Sequence, residues 1–226
     1  MRLHSLCASA KSVRLPISCA PGNYAPMTRA RDPFQHALDS LRSRLTAGRY
    51  RAGRPIVIAD EARRLSLSTT PVREALCWLG GEGLVERGGA GGFFAPRLEA
   101  ALVARRYELR RLYLLCAHDR PVDPPEGLID ADTAVVRLQS VWAWRLGALG
   151  DAALFDAFLR LQGQLARFRA AEARLFPDLE GEAETLLNAS AETESSLLAR
   201  YHARRVAAAP LLVLSAEGAE IDEDEA

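Results

Sequence analysis

The stretch Ser68-Thr69-Thr70-Pro71-Val72-Arg73-Glu74-Ala75-Leu76-Cys77-Trp78-Leu79 decides how the rest of the chain is read. Hydroxyls at its start suit a helix N-cap, and Pro71 suits a first turn, whose backbone N–H groups lack partners in any case. Val72, Ala75, Leu76 and Leu79 recur at helical spacing and form one apolar face. Arg73 points off that face, as do Thr69 and Thr70 at the helix mouth. A short helix with a buried back, a capped front and an arginine near its N-terminus fits a DNA groove. A structural helix carries the same pattern, so the neighbouring segments decide.

Upstream, Phe34, Ala37, Leu38, Leu41 and Leu45 form a helical stripe closed by Gly48. Arg42, Arg44, Arg49, Arg51 and Arg54 cluster at its exit, and Gly53 with Pro55 marks a turn. A second short helix is expected over 59–65, with Ala62 and Leu65 facing inward. Ser66-Leu67 then reads as a tight turn whose leucine plugs the core. Two short helices a few residues apart, the second presenting hydroxyls and arginine, have helix-turn-helix spacing. Downstream, Leu84-Val85-Glu86-Arg87 and Phe93-Phe94-Ala95-Pro96 flank the glycine-rich run 88–92, which reads as a hairpin. Directly behind a recognition helix, that hairpin is a wing, with Arg87 and the tip glycines near phosphates or the minor groove. No GK[ST] signature ends the glycine run, which argues against a nucleotide-binding loop.

Arg51-Ala52-Gly53, Glu61-Ala62-Arg63-Arg64-Leu65, Leu67 through Leu76, Glu82-Gly83-Leu84-Val85 and Gly92-Phe93-Phe94 occur in the order seen in GntR-family regulators, and over residues 34–96 the chain resembles that family. The resemblance implies a winged helix-turn-helix that binds palindromic operators as a dimer. By that likeness Ser68, Thr70 and Arg73 touch phosphates and base edges, and Gly91 or Gly92 sits at the wing. Thr69 stands where many members carry a base-reading arginine, and Ser66 replaces a common turn glycine. Arg63, Arg64 and Arg87 join the expected DNA-binding set as phosphate contacts.

The second half reads as helical throughout, with segments over 98–118, 133–149, 151–176 and 182–209 and a proline-rich loop over 120–130. An all-helical domain behind such a head resembles the FadR-like branch, whose FCD domain is a helical bundle that binds small carboxylates. Tyr107-Glu108-Leu109-Arg110-Arg111-Leu112-Tyr113 looks like its first helix. Arg110 then becomes the expected effector anchor, because an arginine inside a bundle needs an anion. Tyr107 and Trp142 are its candidate companions, although these two and Trp144 are read first as core or dimer packing. FCD proteins commonly hold a divalent metal with one Asp and three His; here only His118 and His202 fall in this half, so no metal or other cofactor is expected.

The chain has 226 residues and no net charge, but the charge is unevenly placed. Residues 27–97 hold 12 arginines against 7 acids, and residues 98–226 hold 14 against 22. A basic head joined to an acidic body suits a polyanion-binding unit with a second function attached. Lys11 is the only lysine, a bias that a GC-rich genome also produces. Cys7, Cys19, Cys77 and Cys116 lack metal-type spacing, which suits reduced cytoplasmic thiols; the resemblance to GntR-family regulators implies a bacterial, nucleoid-associated location. Cys77 reads as a packed or exposed thiol rather than a redox switch, and Trp78 as packing the head onto the second half. Cys116 and His118, two apart on a helix, point about 200° from each other and make no nucleophile–base pair.

The expected architecture is mostly α, a winged helix-turn-helix with a small β-hairpin followed by an all-α bundle. Its segments are a disordered extension over 1–31, in which Met27 is a candidate start, a DNA-binding domain over 32–97, a helical effector and dimerisation domain over 98–212, and an acidic disordered tail over 213–226. The expected function is a homodimeric, non-enzymatic regulator, read as a repressor, that binds double-stranded operator DNA and a small carboxylate, with no membrane span. The rival readings are a helical protein-interaction adaptor with a winged-helix head and an effector-independent DNA-binding dimer.

Overall fold

The computed structural model describes residues 32–89, 91–118 and 133–218. The extension, the proline-rich loop and the end of the acidic tail lie outside these residues. Asp32 caps helix α1 (Pro33–Thr46) by accepting the Phe34 N–H at 3.1 Å. Strand β1 (Pro55–Ile56), α2 (Ile58–Leu65), α3 (Thr69–Gly81), β2 (Glu86–Arg87) and β3 (Phe93–Phe94) complete the head. The turn between α2 and α3 rests on Ser66 at φ 56°, the one non-glycine residue with positive φ among the described residues. That conformation explains why glycine is common at this position of the resembling family.

Ala37, Leu41, Val72, Ala75, Leu76 and Leu79 are fully buried in the head core. They are the stripes of α1 and α3 read from the sequence, and Leu67 packs against them. The hairpin pairs Glu86 with Phe94 and Arg87 with Phe93. Strand β1 was not foreseen: it pairs antiparallel with β3 on its other edge, giving the order β1-β3-β2. A strand of two residues, the first of them Pro55, carries no alternation from which it is legible.

Behind the head follow α4 (Ala100–His118), α5 (Ala134–Ala148), α6 (Ala152–Ala166), α7 (Arg169–Leu175), α8 (Leu179–Leu187), α9 (Ala191–Ala207) and α10 (Ala209–Gly218). Two expected long helices are broken. At the end of α6 the Phe168 N–H bonds the Leu165 carbonyl at 3.0 Å, turning Phe168 wholly into the core. Ser190, with extended backbone, separates α8 from α9. Pro210 sits in the first turn of α10, where its missing N–H costs nothing. Because α10 runs to Gly218, residues 213–218 are helical and not part of an unstructured tail. Two apolar clusters fill this part, one around Leu138, Trp142, Phe158 and Tyr201 and one around Val103, Leu161, Phe168 and Leu212.

Helix α6 joins bundle to head. Gln164 Nε2 donates to the Glu82 carbonyl at 3.0 Å, and Arg167 Nη1 to the Pro96 carbonyl at 3.4 Å. Among the described residues no helix is long and apolar enough to cross a membrane.

Candidate nucleic-acid interface and a buried basic cluster

The front of α3 presents Ser68, Thr69, Thr70 and Arg73 to solvent. Ser68 occupies the N-cap with extended backbone, but its hydroxyl accepts no cap hydrogen bond. The expected side-chain cap is therefore absent, and the hydroxyl stays available to an outside partner. Arg73 lies one turn into the helix and has no ion-pair or hydrogen-bond partner among the described residues. It lines a groove of about 310 Å³ with Cys77, Arg87, Gly91, Gly92, Ile58 and Phe93. Recognition helix and wing thus share one concavity, with Arg73 on the helix side and Arg87 on the wing side. The Arg87 guanidinium lies 5.8 Å from the Phe93 ring centroid, which steadies it without neutralising it. Gly91 and Gly92 hold φ of 93° and 86°, a turn closed by the Gly91 N–H to the Gly88 carbonyl at 2.9 Å. Side chains are strained at these two positions, so Gly91 and Gly92 present bare backbone.

The two arginines of α2 sit differently. Arg63 pairs with Asp60 at 3.0 Å on the surface. Arg64 bonds Glu61 through Nε at 2.8 Å and Ser40 Oγ through Nη2 at 3.0 Å. Neither lines the groove around Arg73. Arg64, exposed on the head surface, ties α2 to α1 through these bonds, a use its sequence position did not reveal. Tyr50 completes that corner: burial, then the Glu61 carboxylate, push its phenol up to about 12.

Trp78 departs from expectation. It is 58% exposed, donates its indole N–H to Glu82 at 2.9 Å, and meets Phe34 edge-on at 6.2 Å. Instead of being packed onto the bundle, it lines a cleft of about 670 Å³ faced by Asp156, Leu159, Arg160 and Gly163 of α6.

The second cluster is buried. Arg110, only 3% exposed, donates from Nε to His202 Nε2 at 3.2 Å and from Nη1 to Gln162 Oε1 at 3.3 Å. Its Cζ lies 5.0 Å from the Tyr107 centroid, 5.3 Å from Trp142 and 5.5 Å from Tyr201. The structure therefore brings together the three expected effector residues. His202, Gln162 and Tyr201 join them; no motif marked these three, although His202 is a polar residue on the buried stripe of α9. Arg205, wholly buried, takes the carboxylates: Nε bonds Glu172 at 3.2 Å and Nη1 lies 2.9 Å from Glu182. Tyr107 donates its hydroxyl to the other Glu172 oxygen at 2.5 Å, and burial followed by that carboxylate drives its pKa well up. Arg110 is left with neutral acceptors only, and its Nη2 is buried without a partner among the described residues.

His202 Nδ1 faces the Leu198 carbonyl at 2.8 Å and must carry the proton, because that oxygen only accepts. Nε2 is then the bare nitrogen that takes the Arg110 bond. Burial, then the Arg110 charge, hold the His202 pKa well below its ordinary value. With both ring nitrogens engaged, His202 does not fit a metal site, and His118 is turned to Glu194 at 3.1 Å. Among the described residues no three His, Cys, Asp or Glu side chains are grouped to hold a metal ion.

Residues 33–94 match the family profile described as bacterial regulatory proteins, gntR family. Over these residues, about the span of the head, the chain is similar to that family. That family is one of transcription regulators, not enzymes. The whole fold is similar to E. coli McbR/YncC, with 19% identity and a TM-score of 0.58, covering 79% of this chain and 97% of that one. It is also similar to a structure from Rhodococcus sp. RHA1 described as a GntR transcriptional regulator, with 19% identity, a TM-score of 0.62, and coverage of 78% and 96%. At such identities the likeness concerns the fold. No curated protein matches the chain.

Proposed function

We propose that this chain is a homodimeric transcriptional regulator of the GntR type whose hold on operator DNA responds to a small carboxylate, without a metal. The observation that carries the DNA reading is the shared groove of Arg73, Arg87 and the bare glycine tip on a GntR-family head. Arginine forms bidentate bonds to guanine or phosphate, and a backbone-only wing approaches phosphates closely. Ser68, Thr69 and Thr70 supply short hydroxyls at the helix mouth, so base discrimination by long side chains falls mainly to Arg73. Arg63 and Arg64 remain surface candidates for phosphate, Arg63 paired with Asp60 and Arg64 held by Glu61 and Ser40. Affinity for duplex DNA falls steeply with salt, because each neutralised phosphate releases counterions; a flat salt profile favours the protein-adaptor reading.

The effector reading rests on the Arg110 Nη2 atom. A buried guanidinium without an anion costs several kcal/mol, and a carboxylate at Nη2 relieves that cost. The rings of Tyr107, Trp142 and Tyr201 surround the Arg110 guanidinium. A route to the head exists in α6: Gln162 accepts from Arg110, and Gln164, about 200° around the same helix, holds the Glu82 carbonyl at the C-cap of α3. A ligand that takes Arg110 from Gln162 changes the seating of α6 and thereby of the recognition helix. In a thermal-shift panel of small carboxylates, at least one raises the melting temperature of the wild type, and Arg110→Gln abolishes that rise. A panel that shifts neither protein overturns the effector reading and leaves an effector-independent DNA-binding dimer.

A further inference from the structure

Helix α4 has two apolar faces. One, built from Val103, Tyr107, Arg110, Leu114 and Ala117, is buried in the bundle. The other runs through Leu102, Arg105, Leu109, Leu112 and Cys116, and its leucines stay 43%, 39% and 52% exposed. The spacing of this second face is 3, 4, 3, 4, the seam of a helix that packs along another helix. At 100° per residue the two faces stand about 140° apart, so the bundle that covers the first leaves the second open.

We infer that a second copy of this chain lies antiparallel along the Leu102–Leu109–Leu112 face of α4. This rests on the dimeric reading proposed above and gives it an interface. The charges on the face select the occupant. Arg105 and Glu108 pair at 2.7 Å, a cation and an anion one turn apart. A two-fold antiparallel copy, with its axis passing between Arg105 and Leu109, sets Arg105 beside the partner's Glu108 and Leu102 against the partner's Leu112. A parallel copy stacks Arg105 on the partner's Arg105, which is repulsive. Self-complementarity belongs to this one arrangement, and its symmetry matches two DNA-binding heads on one palindrome.

Sedimentation of the full chain across a concentration series, with circular dichroism as a folding control, tests the inference. Wild type is expected to reach the dimer mass, and Leu109→Asp to remain monomeric at least 10-fold higher in concentration with unchanged helicity. Since Leu109 is partly solvated, the substitution leaves the bundle core intact; if helicity nonetheless falls, Leu112→Asp is read instead. As a second arm, oxidising a mixture of Leu102→Cys and Leu112→Cys proteins gives a disulfide-linked heterodimer, each on a Cys116→Ser background, while neither protein alone cross-links at these positions. A wild-type dimer that persists in both aspartate variants overturns the interface and leaves the dimeric reading standing. A wild type monomeric throughout overturns both, and self-linkage of Leu102→Cys overturns the antiparallel order.

Discussion

His202 shows how one side chain is fixed by two neighbours of opposite demand. Leu198 takes its Nδ1 proton and Arg110 requires its Nε2 lone pair, so protonation breaks the Arg110 bond and buries a second cation beside the first. Its folded pKa is lowered, so the unfolded chain binds the proton first as pH falls. The stability due to neutral His202 is complete above the unfolded value of about 6.5 and is lost as pH falls below it, at up to about 1.4 kcal/mol per pH unit. Urea denaturation between pH 7.5 and 5 is expected to show this slope, and His202→Gln to remove most of it. An unchanged slope in that variant assigns the acid sensitivity elsewhere. From the sequence, Arg110, Tyr107 and Trp142 were legible as companions, because an arginine on a buried stripe is a physical anomaly. His202 and Gln162 were not, since only the folded bundle brings α9 and α6 against α4. The bond of Arg64 to Ser40, 24 residues earlier, was not legible for the same reason: local spacing does not reveal it.

Among elements, α6 links the two halves. The Gln164 amide touches the head at a carbonyl that also ends the recognition helix, while Gln162 faces the buried arginine. Gln164→Ala removes the head-side bond without touching the Arg110 cluster. The expected result is a carboxylate-induced thermal shift that persists while its effect on DNA affinity shrinks several-fold, read by paired thermal-shift and anisotropy titrations. Equal loss of both readouts contradicts the route through α6. Helices α1 and α3 followed from their apolar periodicity almost to the residue. The breaks at Arg167–Phe168 and Asn188–Ser190 did not, because no proline or glycine punctuates them and tertiary packing of Phe168 decides the first. The same competition exposed Trp78: its indole is satisfied by Glu82 within α3's own end, so it need not seek the bundle.

For the molecule as a whole, the division of charge read from composition maps onto a division of labour. The basic head carries the arginine-lined groove, and among the described residues of the acidic second half several carboxylates pair with arginines of its own, as in Arg205–Glu172, Arg204–Asp178 and Arg137–Glu184. Those internal pairs leave Arg110 as the buried cation with neutral acceptors, and they leave Arg73 and Arg87 to face outward from the head. The central claim is that Arg73 reads DNA from the groove between recognition helix and wing. The most direct measurement is a mobility shift at fixed salt on a duplex selected from random sequence by the wild-type protein, comparing wild type with Arg73→Ala. Removal of a base- or phosphate-contacting arginine weakens binding by about 1–3 kcal/mol, roughly 5- to 150-fold, with the fold unchanged. Wild-type affinity in Arg73→Ala would contradict the account.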